Sequence, residues 1–199
     1  MSEYSNSLAH SYDIKIWDPW VRLFHWSLVL AFLVAYFTED NFLKLHSYAG
    51  YSIILLLLMR IVWGIIGTKH ARFADFIYSP AHIIQFIKET LAFKAKRYIG
   101  HNPAGGAMIL ILIISLILCI LTGLAVYGAE EQAGPMAEWF VQNSGFWGNI
   151  FEELHEFCAN FIVFLILIHI LGVIFESFVH QENLIKSMLT GKKHMEKKL

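Results

Sequence analysis

Four histidines, His25, His46, His155 and His169, are the residues of this chain with the clearest capacity for chemistry, because each lies within or at the end of a strongly apolar segment. A neutral imidazole can ligate a metal through one ring nitrogen or relay a proton. In hydrocarbon such a group is costly, and its default reading is functional or partnered. His155 and His169 are fourteen residues apart. At about 100° per helical residue this interval falls about 40° short of four turns, so the two project from nearly one face, about 21 Å apart along the axis. One helix can therefore serve two stacked sites.

The elements that carry these residues are apolar runs from Trp20 to Phe37, Phe42 to Ile66, Gly105 to Tyr127 and Leu154 to Val179. Each is long enough to cross about 30 Å of hydrocarbon. With 57% hydrophobic and 16% charged residues, the chain reads as an all-α, integral-membrane four-helix bundle forming one domain over residues 1–199. An ordinary soluble domain is excluded, and no nucleic-acid partner is expected. Pro19 fits the first turn of helix one, and the stretch Gly100 to Gly106 with Pro103 marks the start of helix three. The N-terminus lacks a basic stretch ahead of a short apolar run, so no removable signal peptide is expected. Cys119 and Cys158 read as small packing residues.

Charge orients the bundle. Lys15, Arg22, Lys69, Arg72, Lys88, Lys94, Lys96, Arg97, Lys186, Lys192, Lys193, Lys197 and Lys198 fall on one side. Lys44 alone faces Glu39, Asp40, Glu130, Glu131, Glu138, Glu152, Glu153 and Glu156 on the other. Both termini are thus expected in the cytoplasm, with an acidic outer face. Within the long second loop, residues 80–98 space apolar residues at helical intervals between lysines, which predicts an interfacial helix on the inner leaflet.

This topology gives each histidine a depth. His25 and His169 share the inner level, His46 and His155 the outer, and helix three is left as a packing wall. Four imidazoles at two levels about 20 Å apart cannot converge on one zinc or copper ion, and no carboxylate or thiolate completes a three-ligand set. Two ligands per level suit an iron porphyrin, which brings four nitrogens of its own. The pattern therefore predicts two haems. Without a CxxCH site they would be held non-covalently. Arg60 is fourteen residues after His46; it would meet a haem propionate at the inner level or snorkel to the cytoplasmic interface. Gly50 and Gly172 would let a flat macrocycle approach helices two and four. Glu156 is expected to face outward, with orientation of His155 as its other role. His10, His70, His82, His101, His180 and His194 are expected in solvated or headgroup positions. From another class, a haem-free proton or metal transporter would use the same four histidines.

The strings WVRLFHW, MRIVWGIIGTKHARF, GHNPAGG, ELHEFCAN, LIHILGV and FESFVHQENLIKSMLTGKK, in that order, resemble the bacterial cytochrome b561 family, which includes the b-type cytochrome subunits of nickel-iron hydrogenases. The resemblance spans roughly Trp17 to Lys193. It implies a two-haem cytochrome b of the bacterial inner membrane with axial ligands at His25, His46, His155 and His169. It also implies electron carriage between the quinone pool and a periplasmic redox partner, such as a c-type cytochrome or an oxidoreductase subunit. The alternatives under the same resemblance are the anchor subunit of a hydrogenase-like enzyme and a superoxide:quinone oxidoreductase. An acidic outer face argues against the last, because it repels a small anion.

Overall fold

The computed structural model describes residues 11–39, 42–141 and 144–196. Four long helices dominate: α1 (Pro19–Phe37), α2 (Leu43–Ile66), α4 (Pro103–Glu130) and α5 (Ser144–Val179). Two shorter ones, α3 (Pro80–Leu91) and α6 (Leu184–Thr190), lie in the second loop and near the C-terminus. Strands β1 (Ser11–Lys15) and β2 (Lys192–Glu196) pair antiparallel, Ser11 opposite Glu196 and Lys15 opposite Lys192. That pairing puts both described ends of the chain at one end of the bundle, called here the terminal end. His10, Asp40, Lys197 and Lys198 lie outside the described residues.

Helix starts follow local chemistry. Asp18 caps α1 by accepting from the Val21 amide at 2.9 Å, with Pro19 in the first turn. Asn102 caps α4 by accepting from Gly105 N at 2.6 Å, with Pro103 following. In both places proline removes an N–H that had no partner to lose. Asp18 also accepts from Trp63 Nε1 at 3.0 Å and from Thr68 Oγ1, pinning the start of α1 to the end of α2.

Two boundaries differ from the apolar runs. Helix α5 begins at Ser144 rather than Leu154, because hydropathy marks where lipid begins and the preceding aromatic and acidic residues also take the helical conformation. The amphipathic segment is helical only over Pro80–Leu91, since Phe93 adopts a left-handed φ of 56° and ends the helix before Tyr98. Ile84, Ile87 and Leu91 are exposed on α3, while Phe86 and Thr90 are buried.

The core lies where α2, α4 and α5 meet, at Ile53, Leu57, Ile113, Leu116, Cys119 and Ile162, with Leu28 and Phe32 of α1 packed against it. Apolar residues also cover the outer faces, among them Leu30, Ile66, Leu118 and Phe164. All four long helices have the length and hydropathy of membrane spans, and outward apolar faces are what hydrocarbon surroundings permit. At the terminal end a polar cap closes the bundle. Lys193 is buried, 3.1 Å from Glu182 and donating to Tyr98 O at 3.3 Å. Arg97 pairs with the same Glu182 and donates to His194 O at 2.9 Å. Lys193 is therefore an ion-paired element of the cap rather than a solvated tail charge.

Candidate functional site

At the end of the bundle far from the termini, His46 on α2 and His155 on α5 face one another with ring centroids 5.9 Å apart and planes 82° apart. Each ring is held by one nitrogen. His46 Nδ1 lies 2.9 Å from Ala35 O on α1, and His155 Nδ1 lies 2.9 Å from Cys119 O on α4. A carbonyl only accepts, so both Nδ1 atoms carry the proton and both Nε2 atoms keep a free lone pair. Among the described residues neither Nε2 has a hydrogen-bond partner. Gly123 makes room for this arrangement, since a Cβ there would stand 2.7 Å from His155 Cε1. The two rings open onto a cleft of about 160 Å³ bordered by Tyr36, Gly50, Tyr51 and Tyr127. The Gly50 wall is open, with nothing within 4 Å of where a Cβ would be. Gly172 on α5 is equally unobstructed.

Towards the terminal end, His25 on α1 and His169 on α5 are half-buried and lie within Coulombic reach of each other. Their rings are not in contact. His25 Nδ1 is enclosed without a hydrogen-bond partner among the described residues, and its ring meets Trp26 edge-on at 4.9 Å. Arg60 is 4% exposed, so it does not snorkel to the surface. Its Nη1 donates to Ala71 O at 2.9 Å and its guanidinium lies 4.8 Å from the Phe73 ring centroid. Glu156 is exposed, as expected of an outward-facing position.

His101 departs from the expectation of a solvated loop position. Its ring is sandwiched between Trp17 at 4.5 Å and Phe76 at 4.7 Å, and its Nδ1 is enclosed without a partner among the described residues. Burial, reinforced by the charges of Arg60, His70, Lys193 and His169, pushes its pKa down to about 3. His70 is lowered as well, chiefly by burial and then by Lys69. For Asp18 burial works upward, but the hydrogen bonds from Thr68, the Val21 amide and Trp63 outweigh it and leave the carboxyl below its usual range. Pairing of depths along the chain does not single out these loop and cap residues, nor the carbonyls of Ala35 and Cys119.

The far-end pair fits an iron porphyrin. Two nitrogen–metal bonds of about 2 Å and two half-rings of about 1 Å ask for about 6 Å between imidazole centroids, close to the 5.9 Å found. A carbonyl-bound Nδ1–H is the usual means of fixing a ligating histidine. No cluster of three or more His, Cys, Asp or Glu suited to a bare metal ion occurs among the described residues.

Four helices of membrane-span length and an imidazole pair at porphyrin-compatible spacing are the form of a multi-pass membrane cytochrome. The chain belongs to the prokaryotic cytochrome b561 family, whose profile matches residues 16–191, and it is accordingly a membrane b-type cytochrome with haem b as cofactor and electron transport as its role. It is similar to a probable Ni/Fe-hydrogenase B-type cytochrome subunit of Cupriavidus necator, 28% identical in an alignment of 208 positions, gaps included, that covers 88% of this chain and 85% of that one. It is also similar to the corresponding Azotobacter vinelandii protein, at 26% over 89% and 87%. The Escherichia coli K12 probable Ni/Fe-hydrogenase 1 B-type cytochrome subunit is 24% identical over 96% of this chain and 94% of its own. No solved structure matches the chain significantly.

Proposed function

We propose that this protein is a di-haem electron carrier of the bacterial inner membrane. The terminal end lies in the cytoplasm, His46 and His155 hold an outer haem, and His25 and His169 hold an inner one. The observation that carries the reading is the far-end imidazole pair, with both Nδ1 protons given to backbone carbonyls and both Nε2 atoms free. When bound, a bis-imidazole haem supplies reversible one-electron chemistry. The chain contributes orientation and exclusion of water: Ala35 O and Cys119 O set the ring tautomers, and the apolar helices keep solvent from the space between levels. At the inner level Arg60 supplies a buried cation for a propionate, with the guanidinium nitrogens other than Nη1 available to it. Helix α3, with Ile84, Ile87 and Leu91 turned outward, lies on the inner leaflet.

The outer partner is a periplasmic redox protein and the inner one a quinone. The names of the relatives favour a nickel-iron hydrogenase as the outer partner. Pyridine haemochrome quantification on purified parent, His155→Ala and His169→Ala tests the core of this reading. About two haems in the parent and one in each variant are expected. A parent without a Soret and α-band change between oxidised and reduced forms would instead favour a proton or metal transporter, and two haems retained in His169→Ala would sink the pairing.

A further inference from the structure

The two histidine levels are flanked by charges of opposite sign. The cleft that receives the rings of His46 and His155 is also bordered by Glu39, Glu130 and Glu131, at the far ends of α1 and α4. Lys44, the cation of that end, is exposed and does not border it. At the other level Arg60 is buried, and His101 lies within Coulombic range of both Arg60 and His169. The carboxylate within Coulombic reach of Arg60 is Asp18. Three donors, Val21 N, Trp63 Nε1 and Thr68 Oγ1, already engage it, so it offsets Arg60 only in part.

We propose that this asymmetry sets the order of the two haem potentials, with Glu39, Glu130 and Glu131 holding the outer haem below the inner one, for which Arg60 is the tuning charge. The inference rests on the two-haem reading above. Gaining an electron makes an iron porphyrin one charge less positive, so a nearby anion favours its oxidised form and a nearby cation its reduced form. Transfer from the outer to the inner level then runs downhill. One electron leaves the outer iron and arrives at the inner one; no bond forms or breaks and no proton moves. The electron is supplied by a reduced protein at the outer face and removed by a quinone at the inner. The carboxylates are exposed on the cleft rim, so salt screens them, whereas buried Arg60 is screened much less.

Spectroelectrochemical titration of the purified, haem-loaded protein at mildly alkaline pH tests this, and His155→Ala and His169→Ala assign the two midpoints. The haem lost with His155 is expected to have the lower potential. Added salt should raise that midpoint and barely move the other. The triple variant Glu39→Gln, Glu130→Gln, Glu131→Gln should raise the lower midpoint alone. Arg60→Met should lower the higher midpoint alone, while Arg60→Lys keeps most of it. If Arg60→Met does not fold, the triple variant and the salt series decide. A lower potential at the haem lost with His169, or a triple variant with both midpoints unmoved, overturns the proposal. A parent lacking two haems would sink the reading beneath it as well.

Discussion

An alanine at position 123 would place a methyl group 2.7 Å from Cε1 and 3.1 Å from Nδ1 of His155. Carbon contacts settle at about 3.5–4.0 Å, so the imidazole must retreat by roughly 1 Å. The retreat strains or breaks the 2.9 Å bond from His155 Nδ1 to Cys119 O, at a cost of about 1 kcal/mol. Overpacking adds about 1–3 kcal/mol. Against both stands about 1 kcal/mol gained by alanine over glycine in a helix interior. The net loss of fold stability is therefore about 1–3 kcal/mol, which a bundle of this size should survive. The site is less forgiving, because ligand constellations must be held within about 0.5 Å. Gly123→Ala is thus expected to fold, keep the inner haem, and weaken outer-haem binding at least about tenfold, as loss of an orienting bond does elsewhere. Haemochrome content per protein after graded detergent dilution measures the loss, and circular dichroism on heating measures the fold. Gly145→Ala, where nothing lies within 4 Å of the new methyl, is the control. A Gly123→Ala protein holding two haems as tightly as the parent would refute the claim that α4 sets the orientation of His155.

Two further outcomes concern the terminal end. The folded pKa of His101, about 3, lies below the ordinary 6.5, so the unfolded chain takes up a proton the folded one refuses as pH falls below about 6.5. Thermal stability in detergent should accordingly decline between about pH 6.5 and pH 3, by at most about 1.4 kcal/mol per pH unit from this group, and His101→Gln should flatten the slope; an identical slope in the variant would refute this. Asp18 has the opposite sign: its lowered folded pKa stabilises at pH above the unfolded value, an effect lost as pH falls through the folded one. Asp18→Ala should cost about 2–3 kcal/mol at neutral pH, combining a lost N-cap with two donors left without their acceptor, and Asp18→Asn should recover much of it in the same melting assay.

Helix starts were legible because their signals are local. An Asp or Asn followed by proline satisfies an orphan amide and fixes φ within two residues, which is why Asp18 with Pro19 and Asn102 with Pro103 mark the starts of α1 and α4. The start of α5 was not legible from hydropathy, since the turns before Leu154 mix Phe146, Trp147, Glu152 and Glu153 and leave no apolar run to read. Nor could residue type assign His101 to an enclosed position. The walls around it, Trp17 and Phe76, come from segments far away in sequence, and a loop histidine acquires its burial only when those segments fold over it.

The same limit applies more sharply to the far-end site. His46 and His155 were legible as side chains, but the groups that aim them are main-chain carbonyls, which every residue possesses and which no motif reports. Ala35 lies in the last turn of α1, where carbonyls lack an amide four residues on. Its oxygen already takes the Thr38 amide at 3.2 Å, and the His46 ring adds a second donor there while being fixed by it. Cys119 lies mid-helix, and its oxygen takes His155 Nδ1 and Thr122 Oγ1, using lone-pair capacity beyond the helix ladder. Helix α4 contributes no histidine to either level, yet it carries the acceptor and the glycine that position His155. Each far-end imidazole is thus aimed by a helix other than the two that bear the pair. A shift of α1 or α4 against its neighbour would then change ligand geometry without touching a ligand, which makes packing in this bundle part of the redox site.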